Sequence, residues 1–83
     1  MKLEKFVDNL LSVGFIQNET GAENWYENYI NGKSVFVGIL GDNVDHFKHI
    51  PITINILDDS TEEETEKDYM TTAGAWNAIK RLF

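Results

Sequence analysis

The sequence predicts an α+β domain of two layers in the order α-β-β-β-α: a three-stranded antiparallel meander with both helices on one face. Three observations carry this. Leu3, Phe6, Val7, Leu10 and Leu11 recur at the i, i+3, i+4, i+7, i+8 spacing of an amphipathic helix. Asn31-Gly32 lies between two runs of aromatic and β-branched residues, which is the strongest short-range hairpin signal. Ile50, Ile52, Ile54 and Ile56 alternate with Pro51, Thr53, Asn55 and Leu57, the pattern of a strand with one buried face.

The first helix covers residues 2–13, with Lys2, Glu4, Lys5, Asp8 and Asn9 on its polar side. Gly14 fits a left-handed C-cap, and Phe15 and Ile16 follow as a return contact. The polar, glycine-containing residues 17–23 read as a turn. In the hairpin a two-residue type I′ loop pairs Ile30 with Lys33, and outward from there Tyr29 with Ser34, Asn28 with Val35, Glu27 with Phe36, Tyr26 with Val37 and Trp25 with Gly38. Directly opposed residues share a face. One face therefore collects Tyr26, Ile30, Val35, Val37 and Ile39, and the other Trp25, Tyr29, Phe36 and Leu40 interleaved with Glu23, Glu27 and Gly38. The isoleucine row of the third strand continues the first face, which marks it as the core; Thr53 and Asn55 then extend the aromatic face. Residues 41–49 form a polar loop containing Phe47. For the stretch 58–68 a helix start is expected, with Ser60 and Glu63 in capping-box spacing and acids in the first turn. The stripe Tyr69, Ala73, Trp76, Ile79 and Phe83 continues that helix, and Lys80 and Arg81 sit at its C-terminal end.

Composition bounds the function. Eighty-three residues make one domain, and a chain of that size buries only roughly 60–65% of its unfolded surface. Cysteine is absent, which excludes disulfides and cysteine-ligated zinc. Acids interrupt what would be the apolar region of a signal peptide in "MKLEKFVDNL", and no apolar run spans a bilayer, so a cytoplasmic location is expected. The net charge of −7, from 14 acids and 7 bases, argues against direct nucleic-acid binding and against an anionic membrane surface.

Three candidate sites follow. Asp42, Asp45, His46 and His49 offer carboxylate and imidazole ligands within one loop, which could support a metal-dependent hydrolase; the plainer reading is a solvated loop. Ser12, Ser34 and Ser60 stand in no nucleophile motif, and "GILGD" lacks the spacing of a phosphate loop. The acidic patch Asp58, Asp59, Glu62, Glu63, Glu64 and Glu66 could imitate a phosphate track and inhibit a basic protein; the plainer reading is a solubilising helix start. The aromatic face of Trp25, Tyr29 and Phe36, with Glu23, Glu27, Thr53 and Asn55, is the leading candidate, because exposed aromatic patches mark interaction sites. Its plainer reading is that a helix or the 41–49 loop covers it. These features point to a non-enzymatic interaction module without a cofactor, engaging a protein partner or a second copy of itself.

"LLSVGF", the polar turn, "WYENYINGKSVFVGIL" and a closing helix together resemble the HicA-like toxins, which have a double-stranded-RNA-binding-domain-like fold. The resemblance covers the first half of the chain and implies the same α-β-β-β-α order. Those toxins are basic and carry a histidine in a Gly-Ser-His context early in the first strand. Here the corresponding residues are Gly21, Ala22, Glu23 and Asn24, and the chain is acidic, which counts against RNA cleavage and RNA binding.

Overall fold

The apolar periodicity of the first residues is realised as helix α1 (Leu3–Ser12), with Phe6 and Leu10 fully buried. The structure is a computed structural model and describes residues 1–20, 23–39 and 52–83. Val13 ends α1, and Gly14 takes φ +104° as the C-terminal glycine signal predicts. The Asn28 side-chain amide donates to the Val13 carbonyl at 3.2 Å, so a residue of the sheet satisfies an otherwise orphaned helix-end acceptor. Phe15 then turns back into the core, whereas Ile16 remains 67% exposed.

Among the described residues the sheet has five strands, not three. They are β1 (Ile16–Thr20), β2 (Glu23–Ile30), β3 (Lys33–Ile39), β4 (Ile52–Asp58) and β5 (Glu64–Tyr69), in spatial order β1-β2-β3-β4-β5 with every pairing antiparallel. Helix α2 (Thr72–Lys80) completes the α+β fold. The β2–β3 register is the one the type I′ turn requires, from Ile30 opposite Lys33 to Trp25 opposite Gly38, and Asn31 and Gly32 both have positive φ. The isoleucine row joins as expected, with Val35 opposite Ile56, Val37 opposite Ile54 and Ile39 opposite Ile52.

Both added strands correct the sequence reading. Residues 17–20, expected in a turn, pair with β2 instead, with Ile16 opposite Glu27 and Asn18 opposite Trp25. The stretch 58–68 is not a helix start. It contains the end of β4, a turn and β5, with Ile54 opposite Lys67 and Asn55 opposite Glu66. Ser60 is no helix cap; its amide and hydroxyl both donate to Asp58 Oδ1, at 2.9 and 2.7 Å. The Asp58 amide donates to the Glu63 carbonyl at 2.9 Å, the Glu62 amide to the Asp58 carbonyl at 2.8 Å, and Glu62 adopts φ +60°. Period-2 alternation then puts Thr65, Lys67 and Tyr69 on the core side, where the Lys67 ammonium lies 5.4 Å from the Tyr69 ring centre. Tyr69 therefore belongs to the sheet. The final helix starts later, capped by Thr71, whose hydroxyl accepts from the Gly74 amide at 3.0 Å.

One cluster of buried residues joins the two layers. Phe6 and Leu10 of α1, Phe15, and Ala75 and Ile79 of α2 meet Tyr26, Ile30, Val35, Val37, Ile39, Ile52 and Ile54 of the sheet. The stripe of α2 is thus displaced from the expected one: Ala73 is exposed and Phe83 is 56% exposed, while Trp76, Ala78 and Leu82 pack at the margin. Truncating a buried Leu, Ile or Phe to alanine costs roughly 2–5 kcal/mol, a large share of the stability of a domain this size. The hairpin tip is tied to the same layer, since the Asn31 amide donates to the Leu82 carbonyl at 2.7 Å.

The turn at Glu62 separates the two conformations of the acidic stretch experimentally. A non-glycine residue in the left-handed region costs roughly 1–2 kcal/mol, and glycine relieves most of it. Glu62→Gly should therefore raise stability by about 1 kcal/mol, seen as roughly 4–8 °C in Tm by calorimetry. In a helix the same change would lower stability by a similar amount.

Candidate functional site

The face of the sheet opposite the helices is built from three rows of directly opposed residues. The central row runs Ile16, Glu27, Phe36, Asn55, Glu66 across β1 to β5. Beside it run Asn18, Trp25, Gly38, Thr53, Asp68 on one side and Tyr29, Ser34, Leu57, Glu64 on the other. Neighbouring strands lie about 4.8 Å apart, and rows on one face about 6.8 Å apart.

Trp25 and Phe36, diagonal neighbours at the middle, are half-buried. A Cβ placed on Gly38 would lie 2.8, 2.9 and 3.1 Å from three atoms of the six-membered ring of Trp25. Glycine is therefore required opposite Trp25, because the indole occupies the space where a side chain would stand. Trp25 nevertheless keeps part of its surface exposed. Asn18, Trp25, Glu27, Phe36, Asn55, Glu64 and Glu66 together line an open groove of about 400 Å³.

Two of the carboxylates are held in place. The Asn55 amide donates to Glu64 Oε1 at 2.8 Å, and the Thr53 hydroxyl donates to Asp68 Oδ1 at 2.7 Å. Thr53 is only 6% exposed, so it supports the groove from beneath and is not part of its surface as the sequence reading expected. Tyr29 is 61% exposed and stands one row away, its hydroxyl donating to Asp59 Oδ2 at 2.6 Å. That hydrogen bond, with the negative charge of Asp59 and Asp58, pushes the Tyr29 phenol above its ordinary value of 10.0. The hydrogen bonds from Ser60 hold the Asp58 carboxyl below its ordinary value of 3.8. Tyr29 and Asp59 thus belong to the turn side of this face. Glu23 opens β2, opposite Thr20.

The aromatic and acidic candidates, separate in the sequence, form one surface. β5 carries Glu64 and Glu66 to the strand edge beside Asn55, while Asp58, Asp59, Glu62 and Glu63 stay at the adjoining turn. This merger was hidden because a helix reading of residues 58–68 points their side chains around a cylinder instead of onto one face. Asn18 and Asp68 are residues of this face that sequence reasoning left out; for Asp68 the period-2 spacing from Glu64 and Glu66 was the available signal. The loop candidates Asp42, Asp45, His46 and His49 lie outside the described residues. Among the described residues no group of three or more histidine, cysteine or acidic side chains is placed to hold a metal ion, and no helix is long and apolar enough to cross a membrane.

The cations of the described residues keep off the groove face, whereas acids occur on both sides of the sheet, Glu4 and Asp8 lying in α1. At the groove-face positions of the described strands the ionisable residues are Glu23, Glu27, Tyr29, Glu64, Glu66 and Asp68. Every lysine and arginine of the described residues lies elsewhere. Lys33 and Lys67 alternate onto the core side of the sheet, and Lys2, Lys5, Lys80 and Arg81 belong to the helices and their ends. Compared with protein-family models, with curated proteins and with solved structures, the chain matches none.

The Trp25–Gly38 contact gives the site a structural test. Gly38→Ala forces the indole off the sheet, and overpacking of this kind costs typically 1–3 kcal/mol. The variant should unfold at lower denaturant concentration and show a red-shifted tryptophan emission in the native state. Unchanged emission and stability would mean that Trp25 does not lie over Gly38.

Proposed function

We propose that this chain is a non-enzymatic interaction module whose helix-free sheet face takes a basic segment of a partner protein. The observation that carries the reading is the composition of that face: an aromatic centre of Trp25 and Phe36, carboxylates at Glu27, Glu64, Glu66 and Asp68, and no cation at its described strand positions. Aromatic residues are the usual anchors of protein interfaces, and complementary charge sets partner choice and association rate. Self-association through this face is disfavoured, since a two-fold contact would set the carboxylates of one copy against those of the other.

One observation supports a second reading. Glu64, Glu66 and Asp68 recur at every second residue of β5, about 6.8 Å apart, on a strand that forms one edge of the sheet among the described residues. Such a row could imitate successive phosphates and occupy the groove of a nucleic-acid-binding protein. Both readings require a basic partner. They differ in the role of the aromatics, because a phosphate mimic depends on salt and not on Trp25.

Selection from a random peptide display library tests the proposal. Bound peptides should be enriched in lysine and arginine, and Glu27→Lys with Glu66→Lys should weaken them roughly tenfold or more. Trp25→Ala should weaken them as well, whereas for the phosphate mimic it should leave them unchanged. Enrichment of neutral or acidic peptides, or binding indifferent to the double charge reversal, would overturn both readings.

A further inference from the structure

The groove also discriminates between the two cations a basic segment can offer, an inference that rests on the reading above. Phe36 stands in the central row with Glu27 one strand away and Glu66 two strands away on the other side. At about 4.8 Å per strand, the backbones bearing these two carboxylates straddle the ring at roughly 5 and 10 Å, within reach of glutamate side chains folding inward. Trp25 extends the aromatic floor diagonally, resting on Gly38. Glu64 and Asp68 already accept hydrogen bonds from Asn55 and Thr53, whereas Glu27 and Glu66 accept none from side chains among the described residues. The groove therefore has an aromatic floor and, on opposite sides, two carboxylates with open acceptor positions.

These features suit one cation better than the other. A lysine ammonium is a compact, strongly hydrated charge that gains little from a broad aromatic floor. A guanidinium is planar and more weakly hydrated; it stacks on aromatic rings while its N–H groups reach carboxylates around its rim. We propose that the groove is an arginine site. The guanidinium of a partner arginine lies on Phe36 and Trp25 and donates to Glu27 on one side and Glu66 on the other.

The test is a titration of the full chain, followed by the indole Nε1–H resonances of Trp25 and Trp76 in heteronuclear NMR spectra. Three acetylated, amidated peptides are compared: Gly-Arg-Gly-Arg-Gly and its lysine and citrulline counterparts. The arginine peptide should shift the Trp25 resonance, leave that of Trp76 in place, and bind roughly tenfold tighter than the lysine peptide. The citrulline peptide, planar but uncharged, should not bind. Phe36→Leu, which keeps an apolar residue in β3, should bring arginine affinity down to the lysine level; dispersed spectra would show that the variant is folded. Equal affinity for arginine and lysine, or an arginine preference that survives Phe36→Leu, would overturn the arginine site while leaving a basic-segment site intact. Binding of neither charged peptide would overturn both.

Discussion

The two-residue turn at Asn31-Gly32 is the constraint from which the rest of the architecture follows. Positive φ at both residues sets a tight type I′ loop, and that loop sets the β2–β3 register. With a period of two, slipping β2 by one residue against β3 would turn β2 over. Tyr26 and Ile30 would then meet solvent, and Trp25 and Glu27 would meet the helices. The observed register instead puts the carboxylates away from the helix layer, where burying them without partners would be costly. β4 inherits the register through Val35–Ile56 and Val37–Ile54, and β5 through β4. The groove is thus assembled by propagation from a single turn.

That propagation also separates charge. The acids of β2 and β5 fall on the open face, and the lysines of β3 and β5 alternate onto the helix side. A cleft lined by one sign of charge raises the local concentration of the opposite sign and speeds encounter with a complementary partner. Because the carboxylates surround aromatic side chains, an arriving cation would meet ring surface as well as charge. This combination motivates the proposal of a basic, arginine-bearing partner segment.

The core strands were legible in the sequence because their signals are local and strong. Asn31-Gly32 encodes the turn, and the isoleucines of β4 alternate without interruption. The two edge strands were not legible. In β5, Glu64 to Asp68 are all exposed and carry residues of low strand propensity, so no apolar alternation reports the period. Its conformation comes from pairing with β4, a tertiary effect, while its composition imitates a helix N-terminus. β1 is equally polar and is ordered by pairing with β2. Charged, short edge strands of this kind also resist edge-to-edge aggregation, which offsets their weak propensity. The candidate site was half legible: the aromatic residues and Asn55 followed from the register, but Glu64, Glu66 and Asp68 could join them only once β5 was a strand.

A basic-segment site requires that Trp25 lie on an open face of negative potential. Collisional quenching of Trp25 fluorescence in a Trp76→Phe variant tests it without any partner, by comparing caesium with iodide at low ionic strength. Caesium should quench Trp25 more strongly than iodide, with the difference shrinking as inert salt screens the surrounding carboxylates. Resistance to both ions would show that the face is covered, and stronger quenching by iodide would show that its potential is not negative; either result would contradict the account.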